Sequence, residues 1–368
     1  MIRVFEPKLT TSDKISVLNS LIKNQISGSS EFVERFEVQF AKICNRKYGV
    51  AVSNGSVALD IAFQCLNLKK EDEVILPSHT IISCLSAVMR TGAIPKFCDV
   101  DSLSWNMTLE GVKKVVSENT KAIIMVHTYG LPSEAKAIGD FCKKNNIILI
   151  EDAAEAHGQH ENNLICGSFG LVSTFSFYAN KHITTGEGGM LLTNDEEIYN
   201  LAKRMRNLDF SQERFKHQNL FWNYRLSGIQ ASLGLSQIRN LDMVINKKID
   251  QGNYYQELLC DSEDLFQLPL KEHNNSLNHY WVFGVLLRKK NIRDKVANDL
   301  FKSGIETRPF FWPLHLQPLI DKNQDSDIDL PVSENLGRNG LYIPIGQHLN
   351  NKKQKYISEK LKEIVRKY

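Results

Sequence analysis

From about residue 30 the apolar positions along the chain follow two alternating periods. Phe32, Val33, Phe36, Phe40 and Ile43 fall on one face of a helix and predict one over 32–44. A short continuous apolar run, Tyr48–Val52, then reads as a strand. Polar punctuation at Ser53-Asn54-Gly55-Ser56 separates it from an apolar helix over 57–66. Runs of the same buried kind recur at Val74–Leu76, Ile94–Phe97, Ala122–Val126 and Ile147–Ile150, with helical segments at Leu109–Val116 and Ser133–Lys144. Strands that alternate with helices predict a parallel arrangement. Strands without polar alternation predict a sheet covered on both faces. The expected fold class is therefore α/β: a mostly parallel central sheet flanked by helices, plus a smaller α+β C-terminal domain.

Past Asp152 the pattern changes. Val172–Tyr178 and Gly189–Thr193 read as strands set close together. Leu235–Cys260 reads as one long helix, with Ile238, Leu241, Val244 and Ile249 as its apolar positions, crossing from a large domain to the smaller one. Tyr280–Arg288 reads as a strand, and Ile292–Lys302 and Lys353–Tyr368 as helices. The boundary falls at residue 245, giving a large domain over 1–245 and a smaller one over 246–368. The first ~20 residues are expected to pack on the smaller one.

Composition narrows the class. The 368 residues are 42% hydrophobic and 24% charged, ordinary values for a globular chain of about two domains. With 45 Lys plus Arg against 42 Asp plus Glu the net charge is +3, without the basic excess of a nucleic-acid or membrane-surface binder. Apolar runs such as Tyr280–Leu287 are far below the ~20 residues of a membrane span. Met1–Glu6 has no apolar segment of the kind that opens a secretion signal. The seven cysteines are odd in number and form no C-x-x-C pair, so neither a disulfide framework nor a zinc site is expected. A reducing cytoplasm and a packing role for the thiols are the expectation.

Three segments could carry chemistry. Ser53-Asn54-Gly55-Ser56 stands between a strand and a helix, where free N–H groups and the helix dipole suit a phosphate; a turn with an N-cap has the same look. Glu151, Asp152 and Glu155 stand at the C-terminal end of a buried strand, the edge of a parallel sheet at which ligands bind. A carboxylate there could keep a pyridinium nitrogen protonated, as pyridoxal phosphate requires; acids at a helix start would read alike. Lys181 lies between two strand-like runs and precedes the glycine-rich Gly186-Glu187-Gly188-Gly189. A desolvated lysine in that position could form a Schiff base, whereas an average lysine is simply solvated. His157, His160 and Glu161 lack the further ligands of a metal site, so no metal is expected. The chain contains no P-loop, no dinucleotide fingerprint and no G-x-S-x-G elbow.

Phosphate turn, ring acid and lysine in this order resemble the sugar aminotransferases of the fold-type-I pyridoxal phosphate enzymes, the DegT/StrS family. The likeness runs through Val52–Leu59, Asp72–Pro77, Val126–Gly130, Glu151–Ala156, Phe175–Gly189 and Asn223–Leu226. The resemblance implies that Lys181 is the Schiff-base lysine and proton carrier. It implies that Asp152 pairs with the ring nitrogen, and that Glu155 lies near the ring hydroxyl. Gly55, Ser56 and Ser176 would hold the phosphate, with Asn223 reaching it from the neighbouring subunit of a homodimer. Ile81 departs from the pattern, because members usually place a ring-stacking aromatic there. Related 3-dehydratases carry histidine at the lysine position, so Lys181 favours transamination; His182 next to it reads as structural. Ile183–Gly189 is similar to members that aminate C4 of a 4-keto-6-deoxy sugar nucleotide, with L-glutamate as donor. His279–Trp281 and Gly304–His315 resemble the matching stretches of the family's GDP-perosamine synthases, which would link the product to surface polysaccharide such as O-antigen. UDP- or dTDP-linked sugars, a dehydratase and a non-catalytic regulator are the alternatives. In that segment Arg308 could pair with a diphosphate or be solvated. Phe310 and Trp312 could border the base or sugar or pack in a core, and His315 could bind substrate or be an internally satisfied polar residue.

Overall fold

The computed structural model describes residues 1–210, 213, 215–320 and 329–368. Two helices come first, α1 (Thr11–Ile22) and α2 (Glu31–Ile43). Strands β1 (Tyr48–Val52), β2 (Glu73–Pro77), β3 (Ile94–Cys98), β4 (Thr120–Val126) and β5 (Ile148–Asp152) follow. Helices α3 (Gly55–Gln64), α4 (Ile82–Thr91), α5 (Leu109–Val115) and α6 (Ala135–Lys144) lie between them in the chain. A short hairpin, β6 (His160–Glu161) and β7 (Leu164–Ile165), leads to β8 (Val172–Ser176) and β9 (Gly189–Thr193). Together these form a seven-stranded sheet of order β1-β9-β8-β5-β4-β2-β3. Only β9 runs against its neighbours; the β2–β3, β2–β4, β4–β5 and β5–β8 pairs are parallel.

Both sheet faces are covered, which is why the strands carry unbroken apolar runs. Successive residues point to opposite sides. Val50, Val52, Val74, Leu76, Ile124 and Ile150 meet α3 and α4 in one core. Ile75, Ile123, Met125 and Leu149 meet Ala135, Ile138 and Cys142 of α6 in another. Ala51, Met190 and Leu192 pack with Phe36 and Phe40 of α2.

After α7 (Glu196–Arg206), the expected single helix over 235–260 is two, α8 (Gly228–Ile238) and α9 (Leu241–Leu259). The break falls at Arg239-Asn240, where Asn240 has a ψ of 6° and its N–H turns back to the Gln237 carbonyl at 3.0 Å. Asparagine is a poor helix-interior residue and suits such a corner. Ile245 of α9 belongs to the α2 core, whereas Tyr255 and Leu259 belong to a separate core. That second core is built on β10 (Phe266–Gln267), β13 (Phe283–Leu287), β14 (Arg308–Pro309) and β15 (Gly340–Ile343), after a hairpin of β11 (Glu272–His273) and β12 (Ser276–Leu277). The four form an antiparallel sheet of order β10-β13-β15-β14, flanked by α10 (Arg293–Lys302), α11 (Pro331–Asn339) and α12 (Asn351–Lys367). At the N-terminus, Ile2 bridges Ile305 and the Ile345 N–H reaches the Val4 carbonyl, while α1 packs on α8. The strand expected over 280–288 begins only at Phe283, because Tyr280 turns through a left-handed φ of 46° and swings Trp281 out of line.

Six of the seven cysteines are buried or half-buried, but Cys260 is exposed, so it does not serve as a packing residue. No helix among the described residues is long and apolar enough to cross a membrane.

Candidate active site

Strand β5 delivers two adjacent carboxylates to opposite faces. Glu151 accepts the N–H groups of Phe169 at 2.8 Å and Gly170 at 3.1 Å, that of Gly167, and the Ser173 hydroxyl at 3.0 Å. Its fifth partner is His127 Nε2 at 3.0 Å. Burial pushes this carboxyl up, but the bonded His127, the Gly167 N–H and the Arg46 charge outweigh it and hold it below its ordinary value. Asp152 is far less satisfied. Ala154 N–H donates to Oδ1 at 3.0 Å, and the Cys84 thiol donates to Oδ2 at 3.4 Å. Here burial wins and the carboxyl is raised.

The lysine loop starts where β8 ends. Phe177 N–H bonds the Gly188 carbonyl at 2.8 Å, and Lys181 N–H closes a turn on the Tyr178 carbonyl at 3.0 Å. Gly189 lets the start of β9 pass beneath the first turn of α3, since a Cβ there would lie 2.4 Å from the Asn54 carbonyl oxygen. Lys181 is buried with Nζ 3.5 Å from Glu155 Oε1 and 3.7 Å from the centre of the Trp281 ring. Burial lowers its basicity against the pull of the Glu155 and Asp152 charges. Glu155 is pushed up to about 7 by burial, with the Lys181 charge and the Tyr129 N–H, at 2.7 Å, opposing.

These groups face one cavity of about 630 Å³. Gly55 and Ser56 at the start of α3 form one side of it with Ser176. Asn54 caps the helix through the Val57 N–H at 2.9 Å, and an α-helix leaves its first N–H groups without internal partners. Ser56 shares a 2.6 Å hydroxyl contact with Ser83. Ile81 and Ala154 supply apolar wall, and Arg308, Phe311 and Tyr342 line the side formed by the smaller sheet.

Of the residues expected at a site, Lys181, Asp152, Glu155, Gly55, Ser56, Ser176 and Arg308 thus share one cavity. Asn223 does not line it; it is exposed on the stretch that bridges back to Asn207. Phe310 corrects the expected substrate contact: it is 3% exposed, with its ring 4.8 Å from Tyr129 and 5.2 Å from Trp105. Gly284 and Gly340 make room for it, and the neighbouring Phe311 takes the wall position. Trp312 lies outside the cavity, half-exposed beneath Arg338 with Nε1 on the Leu316 carbonyl at 3.3 Å. His315 is also outside it, with Nδ1 2.6 Å from the Ser78 hydroxyl and Nε2 facing Glu334 at 3.7 Å. Trp312 is thus bonded inside the chain, and so is His315 through Nδ1, whereas its buried Nε2 has no hydrogen-bond partner among the described residues.

Asn180, Trp281 and Tyr342 line the same cavity and Cys84 donates to Asp152, although sequence patterning singles out none of them individually as a site residue. Cys84 looks like one more apolar helix residue, and Trp281 and Tyr342 look like strand core. His127, Glu151 and Cys166 have ligand atoms within 4.8 Å of one another, but His127 and Glu151 are engaged in the hydrogen bonds described above.

Residues 8–362 match the model of the DegT/DnrJ/EryC1/StrS aminotransferase family. Over 364 residues the chain is 35% identical to the GDP-perosamine synthase of Escherichia coli O157:H7, covering 99% of this chain and 98% of that one. It is 30% identical to the dTDP-4-dehydro-2,3,6-trideoxy-D-glucose 4-aminotransferase of Saccharopolyspora spinosa, covering 99% and 97%. The crystal structure of the aminotransferase TlmJ from Streptoalloteichus hindustanus superposes with a TM-score of 0.93 at 26% identity, covering 100% and 99%. A cavity lined by a lysine, two carboxylates and a helix N-terminus, in a chain that matches the family model over residues 8–362, belongs to a member of the DegT/DnrJ/EryC1/StrS aminotransferase family.

Proposed function

We propose that this aminotransferase, with pyridoxal phosphate as its cofactor, moves an amine from L-glutamate to C4 of a GDP-linked 4-keto-6-deoxyhexose, forming GDP-perosamine. The observation that carries the reading is the buried Lys181 amine, held between Glu155 and the Trp281 ring in the cavity that Asp152 and Arg308 also face.

The residues fit the cofactor. Asp152 has a carboxyl raised by burial and only a thiol on Oδ2, so a protonated ring nitrogen is the partner it lacks. The first turn of α3, with the Ser56 and Ser176 hydroxyls, suits a phosphate. Ile81 and Ala154, both lining the cavity, would give a flat ring apolar cover without aromatic stacking. When bound, the cofactor supplies an electron sink for the carbon that loses or gains the amine.

The chain does the rest. Asp152 keeps the ring nitrogen protonated. Lys181, its basicity lowered by burial against the Glu155 and Asp152 charges, carries the proton that must reach sugar C4. Glu155 holds the Lys181 nitrogen by charge and is itself oriented by the Tyr129 N–H. Arg308 meets the diphosphate; its guanidinium, 5.4 Å from the centre of the Phe5 ring, has Glu306 as its ion-pair partner at 3.5 Å. Phe311 and Tyr342 flank the sugar. An imidazole at position 181 could not provide the amine, which is why a 3-dehydratase is the weaker reading.

We further infer a homodimer in the cytoplasm, with Asn223 of one subunit completing the phosphate site of the other. Leu220 is 99% exposed and Trp222 67%, next to an exposed Asn223, which supports a partner surface there. Turnover of purified enzyme with GDP-, UDP- and dTDP-linked 4-keto-6-deoxy sugars and glutamate tests the reading. Amination of the GDP sugar is expected, and its absence with amination of another sugar removes perosamine synthase.

A further inference from the structure

The buried face of α9 carries a lysine in its middle, between Val244 and Gln251. A buried ammonium ordinarily demands an anionic partner. Among the described residues Lys248 has none: Nζ donates to the Trp281 carbonyl at 2.8 Å. One turn further along α9, a Cβ on Gly252 would lie 2.2 Å from the Tyr280 ring. The helix thus offers the Tyr280–Trp281 bend a gap and an amine donor, four residues apart on one face.

That bend needs holding. Tyr280 has a φ of 46°, a region that strains a bulky residue. Asn278 Oδ1 accepts the Tyr280 N–H at 2.7 Å, and Trp281 Nε1 donates to the Asn180 carbonyl at 3.1 Å, the residue before Lys181. The strained bend puts an indole face 3.7 Å from Lys181 Nζ. Lys181, His182 and Lys248 also border a second, narrow cavity of about 40 Å³.

We propose that Lys248 is a positioning residue for amine transfer, which fixes the Tyr280–Trp281 bend through the Trp281 carbonyl and so keeps the indole against the Lys181 amine. The proposal rests on Lys181 being the residue that binds the cofactor. Holoenzyme variants Lys248→Met, Lys248→Arg and Lys248→Gln are compared by kcat, by KM for the keto sugar and by circular dichroism in the cofactor's visible band, which reports its orientation. Lys248→Met is expected to lower kcat by about tenfold and to halve the visible signal roughly, with KM changed less than about twofold. Lys248→Arg restores both, because a guanidinium donates to the same carbonyl. In a Trp281→Leu background Lys248→Met adds no further loss, since its effect passes through Trp281. A Met variant with unchanged kcat and visible signal overturns the proposal, and so does an Arg variant no better than Met. If Lys248→Met does not fold, Lys248→Gln, whose amide falls one bond short of the carbonyl, is expected to lower kcat and the visible signal together; a folded Gln variant with both unchanged overturns the role instead. Lys181→Ala run alongside must lose the visible band, and its survival marks failure of the lysine assignment rather than of the Lys248 role.

Discussion

Glu151 and Asp152 are neighbours in sequence, equally buried, and opposite in consequence. Replacing Glu151 with Gln removes the charge that holds three N–H groups, the Ser173 hydroxyl and His127 in a closed network. Bonds to a buried ion are worth roughly 1.5–3 kcal/mol each, and breaking a buried pair costs roughly 3–5 kcal/mol. A loss of about 3 kcal/mol or more is therefore expected, a large fraction of the about 5–15 kcal/mol that stabilises a folded protein. Asp152→Asn does the reverse. Its carboxyl is raised by burial, so the folded apoenzyme holds that charge at a cost, and an isosteric amide relieves it. The apoprotein should be no less stable than the parent, while turnover falls by orders of magnitude because the ring nitrogen loses its acid. Urea unfolding of both apoproteins at neutral pH, followed by fluorescence, gives the stabilities, and single-turnover amine transfer gives the rates. The sign of pH dependence separates them again. Glu151 is lowered in the fold, so its stabilisation is present above the ordinary carboxylate pKa and is lost as pH falls through the folded value. If Asp152→Asn unfolds well before the parent, or Glu151→Gln leaves stability unchanged, the assignment of one acid to the scaffold and one to the site is wrong.

Phe310→Ala should cost roughly 3–5 kcal/mol in urea unfolding, since Gly284 and Gly340 cannot fill the space, whereas Trp312→Ala should cost about 1 kcal/mol or less; a KM defect without a stability defect in Phe310→Ala would restore it as a substrate contact. Glu155 sits at about 7 in the fold, so the folded chain keeps a proton that the unfolded chain sheds above its ordinary carboxylate pKa. Apoprotein stability should therefore decline as pH rises through that window to about 7, and Glu155→Gln should flatten the decline in thermal melts across the same range. Ile81→Phe should tighten cofactor binding by up to about tenfold in equilibrium dialysis, because ring stacking is worth roughly 0.5–1.5 kcal/mol. If Asn223 serves the neighbouring site, mixing inactive Lys181→Ala and Asn223→Ala proteins under subunit exchange should restore part of the activity, and no recovery removes the shared site.

What could be read from the chain alone follows from which interactions are local. Apolar runs separated by helices report a doubly covered sheet because every residue of β2, and every residue of β4 but Lys121 near its start, is buried whichever face it points to. Lys181, Asp152 and the α3 start are legible because a helix N-terminus, a strand end and a glycine-rich turn are local motifs. The split of α8 from α9 and the bend at Tyr280 are not local. Both depend on contacts set by the folded chain: Asn240 turns a corner between two cores, and Tyr280 accepts a strained φ because Gly252 and Lys248 wait across the gap. The same reason explains the exchange of Phe310 for Phe311. Two adjacent phenylalanines are alike to any pattern, and which one enters the core is decided by glycines at 284 and 340, residues distant in the chain that leave a space of one ring. A lysine on the buried side of an apolar helix is the exception, for there the polar residue itself marks the need for a partner. Read that way, Lys248 points from the sequence to a carbonyl that only the fold supplies, and through it to the amine that does the chemistry.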